Sequence, residues 1–443
     1  MKALLVNPYI YDVSAYDYWL KPVGLLYIAT ALEKSGVEVK LLDFLDRHLP
    51  GNNVHDGPYG TGKFSSIVVK SLMNEYGIPR YLKRYGAPEE ILNTLNFSPD
   101  VVLITSMMTY WYGGVFETIK MIKKNFNVPV ILGGNYPTLL PEHAKLSGAD
   151  VIVEGDGIPK IYDILEAVTG TKVEHTVGEN WFEEITPDNS LYPKIESAVI
   201  HTTFGCPYRC TYCVAWKKGF KVRPVNSVLK EIQELKKRGV KDIAFYDDAL
   251  LVKRERFKKI LKGLPNDIRY HLPNGIHAAL LDEEIAKLLK EKNFHTIRLG
   301  YETGDAALQK KTGGKVDNTS FQRAVELLKS VGFDSKDVGA YMIVGLQDQS
   351  FESALEDVKF LARMGVKPVI NEYTLIPGSL DWQVALNQGL VDENVDPFML
   401  NNSLISYWWK GSMGIKKIDI LKNVVRRFVT GKISLDELLK FKV

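Results

Sequence analysis

Short apolar runs alternate along this chain with longer segments of helical period. Residues 2–6 form an apolar run cut off by Asn7-Pro8, the pattern of a buried parallel strand. Residues 25–35 then place apolar positions at helical spacing and stop at Gly36, where a C-cap belongs. The rhythm continues with strands at 37–44, 101–106, 128–132 and 151–153 and a helix at 114–126. Strands alternating with helices predict an α/β fold with a doubly wound parallel sheet, whose ligands sit beyond the carboxyl ends of the strands. Two of those ends carry glycine, at Gly133-Gly134 and at Glu154-Gly155-Asp156-Gly157, where a backbone can approach a bulky ligand closely.

A polar, turn-rich link at 187–193 separates a second series. Strands at 198–203, 243–246, 270–272, 296–299, 338–344 and 369–375 alternate with helices, and polar or glycine positions follow most of them. Six strands with helices between them predict a partial (β/α)6 TIM-type barrel, open at one side, with its site at the carboxyl face. The domains expected are 1–185, 195–385 and a helical C-terminal region at 386–443. Residues 52–100 fit neither rhythm, and both a lid over a ligand and a solvated helical excursion suit them.

All three cysteines, Cys206, Cys210 and Cys213, fall within one loop at the end of the first strand of the second series. Three is odd for disulfides, and a zinc site needs a fourth ligand. Three thiolates can instead hold three irons of a four-iron cluster and leave the fourth open. The rest of the composition is ordinary for a globular protein, with 45% hydrophobic and 25% charged residues and a net charge of +3. That charge gives no reason to expect nucleic acid as a partner. No apolar run is long enough for a signal peptide or a transmembrane segment. A cytoplasmic location, which also protects an oxygen-sensitive cluster, is the expectation.

The C-x3-C-x2-C spacing, with the aromatic Tyr212 before the last cysteine, resembles the signature of radical S-adenosylmethionine enzymes. The resemblance implies a single four-iron four-sulfur cluster chelated by the amino and carboxylate groups of S-adenosylmethionine. One electron then releases a 5′-deoxyadenosyl radical, so an electron donor such as flavodoxin or ferredoxin is implied too. Pro22-Val23-Gly24, Gly133-Gly134 with Pro137-Thr138, and Glu154-Gly155 resemble the cobalamin-binding domain that precedes many such cores, which makes Gly133, Gly134, Glu154 and Gly155 cofactor-binding candidates. Asp46-Arg47-His48 with Gly51 matches the D-x-H-x-x-G pattern of cobalt-ligating histidines, but it follows the second strand rather than the first. His48 is therefore expected to be a loop histidine, with the lower cobalamin face open or touched by residues 16–19. Gly57 to Lys63 nearly matches a P-loop, yet Phe64 replaces the magnesium-binding hydroxyl and no apolar strand precedes it.

Over 195–385 the resemblance implies further roles. Tyr246, or Asp247 beside it, would contact the amino group of S-adenosylmethionine. Glu302 would accept from its ribose or ammonium, with Arg298 as an alternative structural partner for that acid. Ile343 would lie along adenine, Pro377 would form the sixth-strand turn, and Asn274 would line the pocket. Tyr341 and Tyr373 are candidate catalytic hydrogen-atom donors, and packing aromatics otherwise. With no thiol outside the loop, methylthiolation, auxiliary clusters and cysteine-shuttled methyl transfer are excluded within this chain. Cobalamin-dependent methylation of an unactivated carbon is the leading expectation. Radical cyclisation or rearrangement with a vestigial corrinoid domain is the enzymatic alternative, and a non-catalytic corrinoid-binding or redox-sensing module is the third. Tetrapyrrole, lipid, peptide and natural-product precursors all remain compatible substrates.

Overall fold

The computed structural model describes residues 1–442. By internal contacts it divides into two units, 1–199 with 237–240 and 396–400, and 200–236 with 241–395 and 401–443.

In the first unit, Leu4, Leu5 and Val6 are fully buried in β1 (Lys2–Asn7), as a strand covered on both faces requires. It is joined by β2 (Glu38–Asp43), β3 (Val101–Ser106), β4 (Val130–Gly134) and β5 (Val151–Ile152). Every pairing is parallel and the order is β5-β4-β3-β1-β2. In a sheet of this order the strand sequence reverses between β1 and β3, and ligands bind in the crevice there. Val115, Ile119 and Ile122 of the helix Tyr112–Asn125 pack with Leu4, Val102 and Leu132 into one core.

The stretch 52–100 carries four short strands rather than forming a helical excursion. Tyr81–Tyr85 pairs antiparallel with Ile10–Asp12 and Ser66–Ser71, while Gly62–Phe64 pairs with Tyr16–Asp17 and Val54–Asp56. The β-branched run Ile67-Val68-Val69 favours this extended backbone. After Ala87-Pro88 the chain makes a short 3-10 turn, Glu89–Thr94. Segment 396–400 also belongs to this unit, and the Asp396 carboxylate accepts from the hydroxyls of Tyr76 at 3.1 Å and Tyr112 at 2.9 Å.

The second sheet runs β6 (Ser197–Ile200), β7 (Asp242–Phe245), β8 (Arg269–His277), β9 (Phe294–Glu302), β10 (Val338–Val344) and β11 (Lys367–Glu372). Neighbours in space are neighbours in sequence, so β6 and β11 are its two edges. The helix Ile415–Val429 of the C-terminal region packs against β11 and the helix Phe351–Arg363. Arg223 is fully buried beside the helix Val225–Lys237 and bonds Glu231 at 2.6 Å.

Candidate active site

The cysteine loop hangs on a two-stranded stem, Thr203–Gly205 against Phe220–Val222, which the sequence pattern did not reveal. Gly205 is required there: its φ is +71°, and a Cβ would lie 1.9 Å from the Gly219 carbonyl oxygen. Asp247, at the end of β7, fixes the foot of the stem. Its Oδ1 accepts from the Thr202 amide at 2.9 Å, the Thr202 hydroxyl at 2.8 Å, the Thr203 hydroxyl at 2.7 Å and the Thr203 amide. Asp247 thus holds the loop through Oδ1, while its Oδ2 is buried with no hydrogen-bond partner among the described residues. The Tyr246 carbonyl, the other candidate, accepts from Asn274 Nδ2 at 2.9 Å.

Within the loop Cys210 is buried, and Cys206 and Cys213 are partly so. The Cys213 Sγ accepts from the Ala215 amide at 3.4 Å, and the Thr211 amide donates to Thr312 O at 3.3 Å. Burial pushes all three thiols up, and the Lys315 ammonium pulls all three back. Lys315 follows Gly313-Gly314 in a turn that presses on the loop, where a Cβ at Gly313 would be 3.2 Å from the Cys210 Cα. Among the described residues no three His, Cys, Asp or Glu side chains close on a single ion. Thiols that each serve a different iron need not converge on one point, so the set suits a cluster.

Glu302 ends β9 with φ +65°, where the register to β10 slips between Gly300 and Glu302. Its carboxylate is 3.8 Å from Lys315 Nζ, so its cation is Lys315; Arg298 donates instead to the Ile297 and Asp337 carbonyls. Burial raises the Glu302 pKa, while Lys315 and the Tyr212 hydroxyl lower it. The structure therefore gathers Cys210, Tyr212, Glu302 and Lys315, of which Lys315 was missed in the sequence. His277 was also missed. It is 9% exposed at the end of β8, its ring lies 4.6 Å from that of Tyr208 in the cysteine loop, and neither ring nitrogen has a hydrogen-bond partner among the described residues. Burial, reinforced by Lys315, pushes its pKa down to about 4. A buried neutral imidazole without a partner is an open hydrogen-bonding position.

The two tyrosines are committed elsewhere: Tyr341 donates to Pro273 O at 2.7 Å and Tyr373 to Asp381 Oδ2 at 2.9 Å. Neither phenol is free, which favours packing over hydrogen-atom donation. Ile343 is buried, and its carbonyl accepts from Gln349 Nε2 at 3.0 Å. Pro377 is buried in the turn after β11, next to Gly378, whose Cβ would meet Lys217 Nζ at 3.0 Å. A cavity of about 500 Å³ lies beyond β10, lined by Gln347, Ser350 and Lys410 among others, and none of these candidates lines it.

In the first unit, Gly134 and the Glu154-Gly155 turn are exposed at the carboxyl ends of β4 and β5. Gly134 has φ +103°, and a Cβ there would be 2.5 Å from Ser106 O. A Cβ at Gly133 would meet only Val153, at 3.9 Å. The Thr138 hydroxyl accepts from the Gly155 amide at 3.0 Å and donates to Gly134 O at 2.7 Å, tying the two turns into one shelf. A shelf of bare backbone fits a large planar ligand. The topology adds Ser106 to Thr109, after β3 at the switch point, which sequence reasoning missed. His48 sits in the turn after the edge strand β2, with its amide on Asp46 Oδ1 at 3.2 Å. Trp19 is buried and donates to Tyr59 O at 2.6 Å, leaving Tyr16 and Tyr18 as the exposed aromatics of 16–19.

These two sites coincide with two known families. Residues 200–361 match the Radical SAM superfamily and residues 69–160 match the B12 binding domain. The chain is a radical S-adenosylmethionine enzyme with an N-terminal B12-binding domain. A four-iron four-sulfur cluster, S-adenosylmethionine and cobalamin are the cofactors those domains imply. An uncharacterized methyltransferase of Pyrococcus horikoshii is 24% identical over 67% of this chain and 71% of its own length. The anaerobic magnesium-protoporphyrin IX monomethyl ester cyclase of Cereibacter sphaeroides is 24% identical over 61% of this chain, which spans about half (51%) of the cyclase. Among solved structures, the radical S-adenosylmethionine methyltransferase TsrM of Kitasatospora setae, with cobalamin and a [4Fe-4S] cluster bound, shares the fold. Its TM-score is 0.64 at 18% identity, covering 88% of this chain and 78% of that one. Among the described residues no helix is long and apolar enough to cross a membrane.

Proposed function

We propose that this enzyme is a cobalamin-dependent methylase acting on an unactivated carbon of a small molecule. When bound, the cluster with S-adenosylmethionine supplies a hydrogen-abstracting radical, and cobalamin supplies the methyl group. The observation that carries the reading is a B12-binding domain on the same chain as a single three-cysteine loop, with no other thiol available for methyl shuttling.

The protein's own part is binding and orientation. Cys206, Cys210 and Cys213 hold the iron, with Lys315 offsetting the accumulated negative charge. Asp247 keeps the loop on its stem. Glu302 accepts from the ribose hydroxyls or ammonium of S-adenosylmethionine, because hydrogen bonds to an ionised carboxylate are the strong ones. His277 offers one donor and one acceptor to the same ligand or to the substrate. Gly133, Gly134, Glu154 and Gly155 form the corrinoid shelf. A reduced flavodoxin or ferredoxin delivers the electron, and the cytoplasm supplies both.

Anaerobic purification tests the reading: corrinoid absorbance should accompany four irons, and the product should gain one methyl group. A protein that takes up iron but refuses cobalamin would refute it. The likeness to a cyclase favours one second reading, radical ring formation, in which product mass shows no added methyl.

A further inference from the structure

No aspartate or glutamate occurs between Glu196 and Glu231, in a chain whose net charge is only +3. This acid-free stretch contains the cysteine loop and its stem. Arg209, Lys217 and Lys218 are exposed on it, and among the described residues none of the three pairs with a carboxylate. They lie over two aromatics of the loop: Arg209 is 5.4 Å and Lys217 5.6 Å from the centroid of Trp216, and Lys218 is 5.7 Å from that of Phe204. The Trp216 indole N–H donates to the carbonyl oxygen of Cys213 at 3.0 Å. A partly exposed indole is thus one hydrogen bond from the backbone of a thiol that would ligate iron.

We infer that Arg209 and Lys217 beside Trp216, with Lys218 beside Phe204, form the docking surface for an acidic one-electron carrier protein. The inference rests on the radical chemistry proposed above, which needs one electron per cleavage. The reduced carrier loses one electron, the centre held by the three cysteines gains it, and no bond changes. Unpaired cations attract an acidic partner and steer its approach, and the partner's redox group would meet the protein where the path to the cysteines is shortest. An RNA surface would offer its aromatic face for base stacking. Here the Trp216 ring is already attended by Arg209 and Lys217.

The test is binding of oxidised flavodoxin, an acidic flavin protein, to the full chain by titration calorimetry, read without turnover. Affinity should fall steeply with salt, because surface attraction is screened within about 10 Å at about 0.1 M. The double variant Lys217→Glu, Lys218→Glu should weaken binding at least about tenfold, and the Lys217→Met, Lys218→Met pair should fall between it and wild type. Both should keep wild-type rates of 5′-deoxyadenosine formation when dithionite replaces the protein donor. Unchanged or salt-independent flavodoxin binding in the Glu variant would overturn the inference. So would loss of single-stranded RNA binding with flavodoxin binding intact. A product lacking the methyl group would sink the methylase reading and leave this result standing.

Discussion

Glu302 combines two features that stability alone would select against, a left-handed backbone and a buried carboxyl group. Holding a non-glycine residue there costs about 1–2 kcal/mol. Glu302→Gly removes that strain but gives the unfolded chain extra freedom, worth about 0.4–1 kcal/mol. Glu302→Gln keeps the strain and deletes only the charge. In urea unfolding of the metal-free protein, the glycine variant should therefore be more stable than the glutamine variant, by up to about 1.5 kcal/mol. Both should bind S-adenosylmethionine about 10–100-fold more weakly, the equivalent of one lost charge-assisted hydrogen bond. Binding is read by calorimetry on the iron-reconstituted protein, alongside 5′-deoxyadenosine formation. If the glycine variant is the less stable of the two, the backbone at 302 is not strained. If affinity is unchanged, Glu302 does not touch the cofactor.

Arg223→Ala should cost about 3–5 kcal/mol in urea unfolding, since Glu231 is left charged in the interior; replacing both by methionine should cost far less, and equal losses would refute the argument. Tyr373→Phe should lose about 1 kcal/mol with its bond to Asp381 yet keep product formation within about twofold. A collapse of product with normal 5′-deoxyadenosine would restore its role as a hydrogen-atom donor. Asp357 is raised by burial from 3.8 to about 6, against the pull of Gly304, Thr303 and Tyr301. Between those values the folded state binds the extra proton, so this group's contribution is fully present below about pH 4 and lost as pH rises to about 6. Relative to Asp357→Asn, the wild type should lose up to about 3 kcal/mol across that window, and a constant difference would disprove the assignment.

Both sheets were legible because their buried strands are unbroken apolar runs, such as Leu4-Leu5-Val6 and 338–344. The cysteine loop was legible because its chemistry is local in sequence. Contacts made across the sheet were not. Lys315 lies in a Gly-Gly-Lys turn that reads as solvent-facing, and only the packing of Gly313 on Cys210 brings it to the thiols. The resemblance gave Asp247 a cofactor contact, but not the hold that its Oδ1 has on Thr202 and Thr203 across the sheet. Strand phase decides such directions, and bulges like the one before Glu302 reset it. The β-structure of 52–100 escaped notice because its strands are short and pair with residues 10–17, far earlier in the chain.

The return of segment 396–400 to the first unit makes that unit discontinuous in sequence. A fragment ending at residue 199 would carry Tyr76 and Tyr112 without the carboxylate of Asp396 that accepts from both. The corrinoid unit is thus no free-standing cassette. Synthesis must pass residue 400 before its last piece exists, and transplanting the unit to another enzyme would require that distant segment to travel with it.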